Sequence, residues 1–170
     1  MKIKNNDDLT IREAKIEDAK QILQLVKKVM SEVEFFPKAA EEFQLSVEQE
    51  EEFIEKTSLV LVAEIDGKIV GASTLQKGNC IKNKHVADFG ITILQEYSNL
   101  KIGSLLMEKV IEWSKENEVE KIELEVFEKN IPAINLYKKF GFIVEGRRNR
   151  NIKIRHQYQD TLLMCKFLYN

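Results

Sequence analysis

Between His85 and Phe140 the hydrophobic period switches repeatedly, and this restricts the fold more than any other feature of the chain. His85 to Leu94 reads as a strand. Ile102 to Asn117 then carries Ile102, Leu105, Leu106, Val110 and Trp113 at helical spacing. Lys121 to Phe127 returns to period two, with Ile122, Leu124 and Val126 alternating against Glu123 and Glu125. Asn130 to Phe140 is a short helix. Pro132 sits in its first turn, where a missing N–H costs nothing, and Gly141 is placed to end it. Leu136 and Phe140 are expected to give it an apolar side. Sheet strands around one strand–helix–strand unit make an α/β or α+β domain.

The flanking segments extend this order. Ile11 to Ala14 is a short opening strand, followed by a helix over about Glu17 to Val33 with Ile22, Leu23, Val26, Val29 and Met30 on one side. Phe35-Phe36-Pro37 ends it. A second helix starts after Ser46, which forms a capping box with Gln49, and Phe53-Ile54 supply its apolar face. Leu59 to Ile65 and Lys68 to Leu75 are strands joined by Asp66-Gly67, a strong hairpin signal. Gly78-Asn79 marks another turn. Gly141 to Val144 opens a late strand, and Asp160 to Phe167 is the terminal one. The predicted order is β-α-α-β-β-β-α-β-α-β-β.

Composition removes several classes. At about 150 residues per domain, a chain of 170 residues is read as one domain, 1–170. With 26 Lys plus Arg against 28 Asp plus Glu, the net charge of −2 argues against a nucleic-acid binder. The longest apolar run, Leu59 to Ala63, is far short of the ~20 residues that span a bilayer. MKIKNNDDLT lacks the apolar segment of a signal peptide, so a cytoplasmic location is expected. Cys80 and Cys165 have apolar neighbours and are read as reduced core or near-core thiols. Two separated histidines give no zinc spacing, and no metal is expected.

Two segments carry candidate chemistry. The first turn of the Ile102 helix has unpaired N–H groups and the positive dipole end, which suit a pyrophosphate. Gly103 allows close approach, Ser104 offers a hydroxyl and Lys101 a cation. An ordinary helix start explains the same residues. In the second segment Asn130, Ala133, Ile134 and Tyr137 share one stripe. A phenol there can donate a proton and Ala133 leaves room for a ligand chain; a core-edge tyrosine is the alternative.

Together these segments resemble the GNAT superfamily of acyl-CoA-dependent N-acetyltransferases, over about residues 10 to 168. The most specific match is N-x-x-A-x-x-L-Y-x-x-x-G-F, met by Asn130, Ala133, Leu136, Tyr137, Gly141 and Phe142. Glu145-Gly146 and Tyr158-x-Asp160 followed by Leu162, Leu163 and Met164 resemble the spermidine and ribosomal-protein N-acetyltransferase branch. The phosphate loop departs from the family pattern Arg/Gln-x-x-Gly-x-Gly/Ala. Ser98 replaces the Arg/Gln and Lys101 the first Gly. A lysine is tolerated there if its backbone avoids the left-handed region and is strained if the position needs positive φ.

The resemblance implies a mixed, mostly antiparallel sheet of six or seven strands, splayed at a V-shaped cofactor cleft and flanked by about four helices. It implies acetyl-CoA as cosubstrate, with backbone groups of Ile91, Thr92 and Ile93 on the pantetheine arm. An N–H near Ile93 would polarise the thioester carbonyl. Asn99, Leu100, Lys101, Ile102, Gly103, Ser104 and Leu105 would hold the pyrophosphate, and Asn130 and Ala133 the pantetheine side. Tyr137 matches the general acid that protonates the departing sulfur. Asp88 falls where several members carry a carboxylate base; a structural role is the alternative, and His85 is a further candidate. The acceptor is expected to be a primary amine. Glutamates such as Glu48, Glu51 and Glu55 would attract a cationic acceptor, unless they are solvated helix faces. Arg147, Arg148, Arg150, Lys153 and Arg155 form a basic group in the last hairpin, read as an exposed hairpin or a dimer edge. A homodimer is the commonest assembly prior. A non-catalytic acyl-CoA sensor and an RNA-binding module using that hairpin are the rival readings.

Overall fold

The computed structural model describes residues 9–36 and 38–169. The expectations for the first eight residues and for Pro37 lie outside them. Among the described residues, seven strands and four α-helices follow the predicted order. They are β1 (Leu9–Glu13), α1 (Ala19–Glu32), α2 (Val47–Lys56), β2 (Leu59–Ile65), β3 (Lys68–Lys77), β4 (Val86–Ile93), α3 (Ile102–Glu116), β5 (Lys121–Phe127), α4 (Ile131–Lys139), β6 (Ile143–Ile154) and β7 (Gln157–Phe167). The strands form one sheet in the order β1-β2-β3-β4-β5-β7-β6. The pairs β1–β2, β2–β3, β5–β7 and β6–β7 are antiparallel, and β4–β5 is parallel.

The chain divides into two compact units, and the division falls within β4 and α3. The first comprises residues up to Leu75 together with Ile91–Glu108. In it α1 buries Ile22, Leu23, Leu25, Val29 and Met30, while Val26 is half-buried. α2 opens on the capping box: Gln49 N–H donates to Ser46 Oγ (3.3 Å) and Ser46 N–H to Gln49 Oε1 (2.9 Å). Its buried face is not Phe53-Ile54. Ile54 and Glu50, one turn apart, turn inward, and Phe53 is 45% exposed because it lies a quarter-turn round the helix. Asp66 (φ 50°) and Gly67 (φ 75°) both take positive φ, the type I′ geometry whose twist matches its flanking strands. Arg12 donates to both oxygens of buried Asp18 (2.7 and 2.9 Å) and to Glu64.

The second unit comprises Gln76–Gly90 and the chain from Lys109 onward. Val119, Ile122, Met164 and Cys165 are fully buried in it. Cys80, expected near the core, is exposed. It lies in the loop between β3 and β4, closed by Gly78 N–H donating to the Val86 carbonyl (2.9 Å), and its neighbour Ile81 is 87% exposed. β6 and β7 form a much longer hairpin than the sequence suggests. The charged run Arg147 to Arg155 conceals the strand because both its faces are largely exposed. The buried side of α4 is Ile134 and Tyr137, while Leu136 and Phe140 are half-buried.

Candidate active site

The phosphate-loop residues lie in the first unit. Leu94 N–H donates to the Val70 carbonyl (3.0 Å), and a 3-10 turn over Gln95–Tyr97 leads towards α3. Ser98 Oγ donates to the Gln95 carbonyl (2.7 Å), so it closes this turn. Lys101 has φ 62° and is exposed. The position therefore does demand the left-handed region, and the lysine carries the strain that its family position spares a glycine. Lys101 also opens α3, since its carbonyl accepts Leu105 N–H (3.1 Å). A left-handed residue leading into a helix turns the first N–H groups into a concave anion nest. Gly103 is buried there; Ile102 is fully buried, Ser104 and Leu105 are half-buried, and Asn99 is exposed. Gly71 explains how α3 seats so closely. A Cβ on it would stand 3.3 Å from both Ile102 Cγ2 and Ile93 Cγ1. Ile91, Thr92 and Ile93 end β4, all half-buried.

Tyr137, Asp88, Asn130 and Ala133 lie in the second unit. Asn130 is the N-cap of α4, its side-chain oxygen accepting Ala133 N–H (3.4 Å). At the other end Gly141 (φ 82°) makes a Schellman turn. Gly141 N–H donates to the Lys138 carbonyl (3.0 Å) and Phe142 N–H to the Tyr137 carbonyl (3.1 Å). This turn folds Phe142 back on Tyr137, with ring centroids 5.8 Å apart. Phe89 meets the same ring edge-on at 6.3 Å. Tyr137 is 6% exposed, and burial pushes its phenol up to about 12. It is therefore protonated throughout the physiological range.

Asp88 alternates with buried Ala87 and Phe89, so it projects from the opposite face of β4 to the one that meets Tyr137. The structure thus groups Tyr137 with Phe89, not with Asp88. Asp88 stands in register with Glu123 of β5. Desolvation first, and then repulsion by Glu123, raise its carboxyl above the usual range, while Lys121 opposes them. Lys121 is bridged to Glu123 (3.0 Å) and Glu145 (2.8 Å). The β4–β5 register covers Val86–Asp88 against Lys121–Glu123. His85, the other base candidate, precedes β4, and its carbonyl accepts Glu120 N–H (2.8 Å). Phe89 and Glu123 were missed as site residues from sequence, and Phe142 was read there only as the end of the motif. The alternation of β4 marks Phe89, but Glu123 needs the parallel register to be known. Among the described residues no group of three or more His, Cys, Asp or Glu is placed to hold a metal.

Residues 22–142 match the acetyltransferase (GNAT) family. The chain belongs to that family. Membership makes it an acetyl-CoA-dependent acetyltransferase. The chain is similar to an L-amino acid N-acetyltransferase of Escherichia coli K12, 39% identical over 110 residues, which cover 62% of this chain and 66% of that relative. An N-alpha-acetyltransferase of Sulfurisphaera tokodaii is 30% identical over 172 residues, covering 92% of this chain and 90% of the relative. Among solved structures, a GNAT-family acetyltransferase from Streptococcus pneumoniae superposes with a TM-score of 0.88 at 31% identity, covering 94% of this chain and 98% of that one. No helix among the described residues is long and apolar enough to cross a membrane.

Proposed function

We propose that this acetyltransferase moves the acetyl group of acetyl-CoA directly to a primary amine of a small molecule or peptide, with Tyr137 as general acid. The observation that carries this reading is the state of Tyr137. Its phenol is buried, neutral and held between Phe89 and Phe142 on a helix fixed at both ends. Acetyl-CoA supplies the activated thioester. The chain's residues then have three tasks. The N–H groups of Ile102 and Gly103 hold the pyrophosphate, and backbone groups of Ile91 to Ile93 pair with the pantetheine arm. Tyr137 gives its proton to the sulfur as the bond to the acetyl carbon breaks. Asp88 projects from the other face of β4, so as the base it takes the proton of the attacking ammonium through water, and its raised carboxyl suits that task. The names of the relatives above support an amine acceptor, and the exposed glutamates of α2 support a cationic one.

The test is thiol release from acetyl-CoA against amino acids, polyamines, aminoglycosides and basic N-terminal peptides, with Tyr137→Phe beside the wild type. Phenylalanine keeps the ring contacts and removes the proton. We expect kcat to fall about 10²–10⁴-fold while calorimetric CoA affinity holds. A Tyr137→Phe enzyme of undiminished kcat removes the phenol from the mechanism. A second reading, a non-catalytic acyl-CoA sensor, is favoured by one observation, the strained Lys101 in place of glycine. Binding without turnover on any amine selects it.

A further inference from the structure

We propose that a groove in the second unit, at the ends of α3, α4 and β7, binds a nucleotide-like organic phosphate. The cavity measures about 480 Å³, within the usual size range for small-molecule sites. Three lysines from three different elements line it: Lys115 in the last turn of α3, Lys139 at the end of α4, and Lys166 of β7. Neither Lys115 nor Lys166 takes part in a salt bridge among the described residues. A bound anion would give these two ammonium groups a counter-charge.

Lysines at helix ends ordinarily face unpaired carbonyls. Here those carbonyls are occupied. Phe140, Gly141 and Phe142 donate to the last carbonyls of α4, and the Tyr169 hydroxyl donates to the Lys115 carbonyl (2.9 Å). Lys166 is on a strand, so the helix-end account does not reach it. Its Nζ stands 3.2 Å from where a Cβ on Gly141 would be, and the absence of that Cβ leaves it room. The ligand class follows from the lining. Ammonium groups act as point charges suited to phosphate, whereas bidentate carboxylate recognition calls for arginine, and no arginine lines the groove. Beside them Phe167 is 57% exposed, an apolar ring face on which a base can lie. The groove is not the acyl-CoA pyrophosphate nest. All its lining residues belong to the second unit, whereas Lys101 to Ser104 belong to the first.

The test is a titration of the amide spectrum of the CoA-free protein with ADP, and separately with inorganic pyrophosphate, the amides of Ile102 and Gly103 being followed beside those of the groove so that binding at the two places is read separately. We expect saturable shifts at Gly141, Lys166 and Leu168. Lys139→Gln/Lys166→Gln should weaken both probes about tenfold or more with thermal stability and CoA affinity unchanged. Phe167→Ala should weaken ADP and spare pyrophosphate. Absence of shifts at these amides at millimolar probe, or equal affinity in the double lysine variant, overturns the site. Equal loss of both probes in Phe167→Ala overturns the role given to the ring, and with it the nucleotide.

Discussion

Lys101 shows how much one backbone angle can decide. A side chain in the left-handed region costs about 1–2 kcal/mol, partly offset by the flexibility that glycine loses on folding. Lys101→Gly is expected to gain roughly 1 kcal/mol, read as a rise in Tm of about 2–4 °C. The strain is present with or without ligand, so CoA affinity should stay within about twofold, a difference of less than 0.5 kcal/mol. A marked loss of affinity would instead show the ammonium contacting a phosphate. Asp88 gives the second prediction at this scale. If it is the base, the acid limb of kcat/KM reports its carboxyl. Glu123→Gln removes a neighbouring negative charge and should move that limb to lower pH. Lys121→Gln removes the opposing cation and should move it to higher pH. A limb that ignores both changes, in an enzyme still active as Asp88→Asn, places the base elsewhere.

At the scale of the element, α4 joins stability to chemistry. Its Schellman turn needs Gly141 at φ 82°, and the same turn sets Phe142 against the Tyr137 ring. Gly141→Ala should cost about 1 kcal/mol by denaturant titration and lower kcat. Combined with Tyr137→Phe, it should lower kcat little further, because both changes act on one group. The limits of pattern reading also show here. The cap at Asn130, the stop at Gly141, the box at Ser46 and the Asp66-Gly67 turn were legible because each rests on local chemistry. The inward face of α2 was not. Phe53 is the more apolar residue, but the phase set by Ile54 buries Glu50 instead. The N-x-x-A-x-x-L-Y spacing located Tyr137 in sequence, whereas its partner Phe89 comes from a distant strand.

The whole molecule responds to pH through groups of opposite sign. Arg12, by hydrogen bonding, holds the Asp18 carboxyl below the ordinary range. A lowered folded pKa stabilises above the unfolded value of about 3.9, and the benefit is lost as pH falls through the folded value. Desolvation raises Glu50 instead, so Glu50 destabilises at neutral pH and its penalty is relieved as pH falls through its folded value. Asp18→Asn should lower stability at pH 7 by about 2 kcal/mol and flatten its decline below about pH 4. A decline as steep as the wild type's would assign acid sensitivity to other carboxylates. The order of elements was readable throughout. The length of the last hairpin was not, because a strand with few buried positions leaves no alternation to read.

That hairpin places β6 at one margin of the sheet. Its register with β7 shifts twice, between Val144 and Gly146 and between Arg148 and Ile152. In the second irregularity Arg150 takes φ 54° and donates its N–H to Asp160 Oδ1 (2.6 Å). An even margin of free N–H and C=O groups is a template on which another chain's strand can grow. Here the margin is bent, and Arg147, Arg148 and Lys153 stud it with charge. The cations that hid this strand from view in the sequence thereby guard the protein against amyloid-like stacking when it is concentrated.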